Sequence, residues 1–111
     1  MYKRQIFDGE KTIENGSVLV ENGKITKVSS SDISHSGQTL SKPGHTLLPG
    51  LIDCHIHADS ANPTALPQSL RFGVTTVCDM HNEFYNIEKL HKQIAKEGDC
   101  ADLKYLSLIH I

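Results

Sequence analysis

Along the first half of the chain, apolar positions come in short bursts separated by turn-forming residues. "QIFDG" sets an apolar pair before a turn at Asp8-Gly9. "SVLVENGKITKV" is the sharpest local pattern: Val18 and Val20 alternate with Leu19, Asn22-Gly23 follows, and Ile25 and Val28 resume the apolar series. An Asn-Gly pair between two such runs predicts a tight hairpin, because both turn residues tolerate positive φ. Residues 29–38, "SSSDISHSGQ", are small and polar and predict a loop. "HTLLPGLIDCHIHA" then predicts a further extended segment.

After Ala58 the period changes. "PTALPQSLRFG" predicts a helix opened by Pro63 and stopped by Gly73, with Pro67 an awkward occupant. "GVTTVCDM", residues 73–80, is β-branched and apolar on both faces, which predicts a strand buried on both sides. In "HNEFYNIEKLHKQIAKEG", Phe84, Ile87, Leu90 and Ile94 recur at helical spacing, Asn82 or Asn86 offers a cap, and Gly98 a stop. "ADLKYL" opens one more strand. From residue 47 the order is therefore strand, helix, strand, helix, strand, which predicts parallel strands joined by crossover helices. The expected organisation is a β-rich module over residues 1–46 and an α/β part over residues 47–105. A closed α/β barrel takes about 250 residues and at least about 200. About 60 residues follow Leu47, so the α/β part is either small and open or a piece of something longer.

Composition narrows the classes. Of 111 residues, 38% are hydrophobic and 22% charged, which suits one small core and not a disordered chain. Thirteen acids against eleven bases leave a net charge of −2 without a basic face, so no nucleic-acid partner is expected. No stretch approaches the roughly 18 apolar residues of a membrane span, and "MYKRQIFDGE" has no apolar segment of a secretory signal. Three widely spaced cysteines, Cys54, Cys78 and Cys100, argue against a disulfide framework. They fit a soluble protein in a reducing cytoplasm.

Seven histidines bring the candidate chemistry. Random scatter would give roughly 0.4 His-x-His pairs, so the spacing of His55 and His57 is weak by itself. On a strand, however, Asp53, His55 and His57 project from one face and Cys54 and Ile56 from the other. Two imidazoles so spaced can reach one ion through bonds of about 2.0–2.1 Å. Asp53 is then a candidate partner behind the ligands, one that sets a ring tautomer. The bland alternative is two idle histidines at a strand end.

The surrounding residues separate the two readings. "LLPGLIDCHIHA" resembles the signature of the amidohydrolase superfamily, in which a Pro-Gly-Leu/Phe-Ile-Asp-x-His-x-His stretch forms the first barrel strand. "IFDGEKTIENGSVLVENGKITKV" resembles that family's small N-terminal β-sandwich, and "LRFGVTTVCDM" its helix end and second strand. The likeness runs from residue 6 to about residue 105. It implies an incomplete (β/α)₈ TIM-like barrel, here its first strands and helices, with one or two divalent metals, usually zinc. Such a metal lowers the pKa of bound water and polarises a scissile carbonyl. It implies a small-molecule substrate with a C–N bond, in an amide, cyclic amide or amino-substituted ring. His55 and His57 match the first two ligands. The later ones, a bridging lysine, two histidines and a proton-shuttling aspartate, have no counterpart in these residues, so no catalytic residue is assigned and the chain by itself is expected to be inactive. "GVTTVCDM" leans towards the imidazolonepropionase-like and Xaa-Pro dipeptidase-like branch.

The remaining candidates are weaker. His81 is a candidate pocket residue, and Asp79 a cap or turn acid. His35, His45 and His91 read as solvated, Cys54 as a buried thiol, and Lys24 and Lys27 as a solvated strand edge. The last six residues, "LSLIHI", correspond to ctg-tct-ctt-ata-cac-atc, which matches a transposon-end adapter of sequencing libraries. Residues 106–111 are accordingly expected to be a non-native tail and His110 no ligand. Two other classes stay open: a non-enzymatic β-rich binding module, and a lyase, deaminase or isomerase on the same scaffold.

Overall fold

A computed structural model of the chain describes residues 2–107. It divides into two compact units, Met1–Pro49 and Gly50–Ile111.

The first unit is a four-stranded sheet built from β1 (Tyr2–Phe7), β2 (Thr12–Glu21), β3 (Lys24–Ser29) and β4 (Leu40–Leu47), in the order β3-β2-β1-β4. β2 and β3 form the hairpin at Asn22-Gly23, where both residues take positive φ, 51° and 74°. That backbone twist suits the strands on either side. β1 pairs antiparallel with β2 and parallel with β4. The Asp8-Gly9 turn is held by Asp8 Oδ1, which accepts the N–H groups of Glu10 and Lys11. Ile6, Val18 and Ile33 are buried, so the polar segment 29–38 is anchored by its one large apolar residue. Lys24 and Lys27 stand exposed on the edge strand β3.

In this unit the β-rich expectation is met by a single sheet, and one expectation about a histidine is corrected. All four strands hydrogen-bond into one layer. A sandwich needs a second sheet packed face to face, and the described residues of this unit supply none. His35 is half-buried, not solvated: Nδ1 accepts the Gly37 N–H at 3.1 Å and Nε2 meets Thr39 Oγ1 at 3.0 Å. His45 is exposed.

The second unit holds β5 (Leu51–Ile56), α1 (Ala65–Arg71), β6 (Val74–Asn82), α2 (Phe84–Glu97) and β7 (Asp102–Ser107). The strands form an open parallel sheet in the order β5-β6-β7. The expected extended segment through "LLPGLIDCHIHA" is thus two strands, β4 and β5, in two different sheets. Leu48, Pro49 and Gly50 between them carry no strand. Gly50 is required because a Cβ there would run into the Thr75 side chain.

Pro67 is tolerated for a simple reason. It is the third residue of α1, after Thr64 at the N-cap, and the first turn of a helix has no intrahelical acceptor for its N–H groups. α2 begins after Glu83, not after Asn82 or Asn86, and Glu83 makes no side-chain cap bond. Asn82 instead accepts the Glu83 N–H at 2.9 Å from just outside the helix. Gly98 ends α2 in the left-handed region, φ 71°, its N–H reaching the Ile94 carbonyl.

Ala58, Leu66, Val77, Ile87, Leu90, Ala101 and Leu103 form one buried cluster between the helices and the sheet. Each fully buried Leu, Ile or Val contributes about 1.5–3 kcal/mol, so this cluster dominates the unit's stability. Both helices contribute to this single cluster. β6 is consequently buried at Val77 and Asp79 but only half-buried at Thr76, Cys78 and Met80, not buried on both faces as its composition predicts. Phe84, the first residue of α2, falls outside the covered stripe and is exposed. β7 runs through Ser107, two residues into the expected tail. Residues 108–111, His110 among them, lie outside the described residues. No helix among the described residues is long and apolar enough to cross a membrane.

Candidate metal centre at the strand ends

β5 delivers His55 within the strand and His57 one residue beyond its last, Ile56. The two imidazoles converge: His55 Nε2 and His57 Nε2 are 3.2 Å apart, with ring centroids 5.1 Å apart and planes inclined at 74°. Both residues are exposed. Two nitrogens bound tetrahedrally to one zinc at about 2.0–2.1 Å stand about 3.3 Å from each other. The observed separation therefore fits a shared divalent cation, and the neutral imidazole is a suitable donor. His81, at the carboxyl end of β6, brings a third ring to 6.2 Å from that of His57. Among the described residues, however, no grouping of metal-donor atoms within ligand spacing joins it to the pair. It stands beside the pair and is exposed to solvent. In parallel α/β sheets this end of the strands is where ligands bind.

Asp53 does something other than expected. Its Oδ1 accepts the backbone N–H of His55 at 3.0 Å, so it braces the chain and not a ring. The reason is a register change. Asp53 pairs with Val77 and Ile56 with Asp79, so β5 carries one extra residue in between. Such a bulge breaks the alternation that would align Asp53 with both histidines. Cys54, beside the bulge on the edge strand β5, is exposed and not buried.

The residues that sequence reasoning missed sit behind the pair. Asp79 is wholly buried. Its Oδ2 accepts the Ala58 N–H at 3.2 Å and the Asn82 Nδ2–H at 2.7 Å, and its Oδ1 accepts the His81 N–H at 3.2 Å. Asn82 Nδ2 also donates to the Ala58 carbonyl at 3.0 Å, while its Oδ1 accepts from Asn86 Nδ2 at 3.1 Å. The available signal was three short polar residues, Asp79, Asn82 and Asn86, at the strand-to-helix junction.

Other features lie apart from this centre. Glu97, Asp99 and Cys100 bring donor atoms together near the end of α2. Burial pushes the Cys100 thiol above its ordinary pKa, and the charges of Glu97 and Asp99 add to the effect. A groove of about 870 Å³ runs along α1 past Pro63, Pro67, Arg71 and Phe72 and contains none of the three histidines. His91 is exposed, with its ring 5.8 Å from that of Tyr105.

A parallel α/β sheet with paired imidazoles at its carboxyl edge places the second unit among folds that bind ligands at strand ends. No protein-family profile matches the chain. A dihydroorotase of Pyrococcus abyssi (strain GE5 / Orsay) is 36% identical to it over 89 residues, covering 74% of this chain and 20% of that protein. A solved structure of molinate hydrolase superposes with a TM-score of 0.78 at 21% identity, over 93% of this chain and 28% of that one, a likeness of fold. The chain spans a fifth of the curated relative and under a third of the structural one. Together these likenesses support an amidohydrolase-like relationship.

Proposed function

We propose that this chain is the opening portion of a metal-dependent amidohydrolase that hydrolyses C–N bonds in amides, cyclic amides or related groups of small molecules. His55 and His57 are its first two metal ligands, and zinc, a cation that imidazole suits, is the one the resemblance implies. The observation that carries the reading is the 3.2 Å approach of the two Nε2 atoms at the carboxyl end of β5.

When bound, the cation supplies a water of lowered pKa and polarises the substrate carbonyl. The chain's own residues hold and orient. His55 and His57 present converging lone pairs, Asp53 ties down the backbone N–H of His55, and His81 stands exposed beside the pair. The strands on which the resemblance places the lysine, the two further histidines and the aspartate complete the barrel in this proposal. This chain alone is therefore inactive. The lean of "GVTTVCDM" towards imidazolonepropionase-like and Xaa-Pro dipeptidase-like members stands beside a dihydroorotase relative, so the substrate class is kept at linear and cyclic amides. The three free cysteines fit a cytoplasmic setting. Residues 106–111 are adapter-derived in the same proposal.

The test is zinc binding and amide hydrolysis by the purified 111-residue chain. Weak zinc binding that needs both histidines, without amide turnover, is the expected result. Robust turnover, or zinc binding indifferent to His55→Ala and His57→Ala, overturns it. Reading the source DNA past the codon for Tyr105 tests the rest: a natural stop codon directly after "LSLIHI" contradicts both the tail and the longer protein.

A further inference from the structure

Ala58, the residue directly after His57, is buried, and both of its backbone polar groups are taken by side chains of β6. Its N–H goes to Asp79 Oδ2, and its carbonyl accepts Asn82 Nδ2–H together with the Ala61 N–H of the turn that follows. A clamp on both the N–H and the C=O of one residue fixes the peptide planes on either side, and with them the direction in which the His57 side chain leaves the chain. The same carboxylate accepts the N–H of His81. Three N–H groups thus converge on two oxygens, so both oxygens of residue 79 must accept. Asparagine there would turn an NH₂ group towards a donor. Asn82 is in turn held by Asn86, the third residue of α2.

We infer that Asp79 and Asn82 are positioning residues for the metal pair: they hold the Ala58 peptide so that the His57 ring meets that of His55 at ligand spacing. The inference rests on the metal reading of His55 and His57 and adds a role for two buried residues that touch neither ring. The bulge in β5 makes the clamp necessary. Between Asp53 and Ile56 the register slips by one residue, so regular pairing does not by itself fix how His57 and Ala58 are oriented. The Asp79–Ala58 bond takes over where the ladder is interrupted.

The experiment compares the unaltered chain with Asp79→Asn, Asn82→Ala, His55→Ala and a control, Ile87→Val. The control loosens the same core without touching the clamp. All are held at a temperature where circular dichroism shows them folded. Two properties are read: the affinity for Co²⁺ by titration, and the imidazole ¹⁵N signature of a hydrogen bond between the His55 and His57 rings in metal-free protein. Removing a partner that orients a ligand lowers metal affinity about 10–100-fold. That loss, with disappearance of the ring–ring signature, is expected for Asp79→Asn and Asn82→Ala and not for Ile87→Val. If Asp79→Asn and Asn82→Ala keep both affinity and signature while His55→Ala loses them, the clamp is overturned and the metal reading survives. An equal loss in Ile87→Val reduces the role to stability and overturns it too. If the unaltered chain shows neither ring pairing nor histidine-dependent Co²⁺ binding, the metal reading falls and the clamp with it. Asn82→Ala leaves both acceptor oxygens of Asp79 in place, so it decides the matter even where Asp79→Asn does not fold.

Discussion

His55 Nε2 stands 3.2 Å from His57 Nε2, with the two rings nearly edge to face. Without a cation, one ring carries the hydrogen on that nitrogen and the other accepts it. With a cation, both lone pairs turn to the ion. His81 lies close to His57 but outside this pairing. His81→Ala should therefore leave Zn²⁺ or Co²⁺ affinity unchanged within the error of a titration, whereas His57→Ala abolishes it. Loss of binding in His81→Ala would show a third ligand.

The close approach of Gly50 to Thr75 leaves no room for a side chain. Forcing a methyl group into packed structure costs about 1–3 kcal/mol. Gly50→Ala should lower the melting temperature, and Thr75→Ala should restore part of the loss, because two of the three crowding atoms are Thr75 Oγ1 and Cγ2. Full stability in Gly50→Ala would refute the contact.

In the first unit, the Ser17 hydroxyl is buried without a hydrogen-bond partner among the described residues. An unpaired buried polar group costs about 1–3 kcal/mol, so its removal relieves a penalty. Ser17→Ala should match or exceed the stability of the parent chain in chemical denaturation. A clear loss would reveal a hydrogen bond at that hydroxyl.

The cysteines should react in order. Cys54 is exposed, while Cys100 is half-buried and its pKa is raised by burial and by Glu97 and Asp99. A raised pKa means less thiolate at a given pH. Iodoacetamide should thus modify Cys54 first near neutral pH, and Cys100 should catch up only as the pH rises. Mass spectrometry of timed samples reads this directly. Glu97→Gln should advance Cys100 labelling towards lower pH.

β5 and β7 are the edges of the parallel sheet. On β5, Leu51 and Ile52 are 55% and 62% exposed. Unpaired edges carrying apolar side chains template association. Light scattering from the purified chain should grow with concentration, and Ile52→Lys should reduce it. A monodisperse, cooperatively melting chain would instead favour a self-sufficient binding module.

Much of this architecture could be read directly, because its causes are local. Asn22-Gly23 makes a hairpin through the conformational tolerance of two residues. The alternation of strand and helix after residue 47 comes from a change of apolar period and from stops such as Gly98. Parallel pairing results in turn from helices standing between the strands. The candidate ligands His55 and His57 were visible through their spacing and their neighbours.

The features that escaped depend on residues far apart in sequence. Nothing local says that Leu48-Pro49-Gly50 parts two sheets, or that Cys54 stands uncovered. The slip of register between Asp53 and Ile56 is a relation to β6, so Asp53 read as a ring partner when it braces backbone. Asp79 and Asn82 looked like a turn acid and a helix cap, because their partner, Ala58, lies over twenty residues upstream.

The amino-acid sequence alone determined the element order, the hairpin and the identity of the two imidazoles, since each is set by residues within a turn or two of one another. Only the tertiary structure decided that those imidazoles meet at ligand distance and that a buried carboxylate holds the peptide behind them. Both outcomes rest on β5 pairing with β6 through a bulge, a relation between residues over twenty apart in sequence that no local pattern fixes.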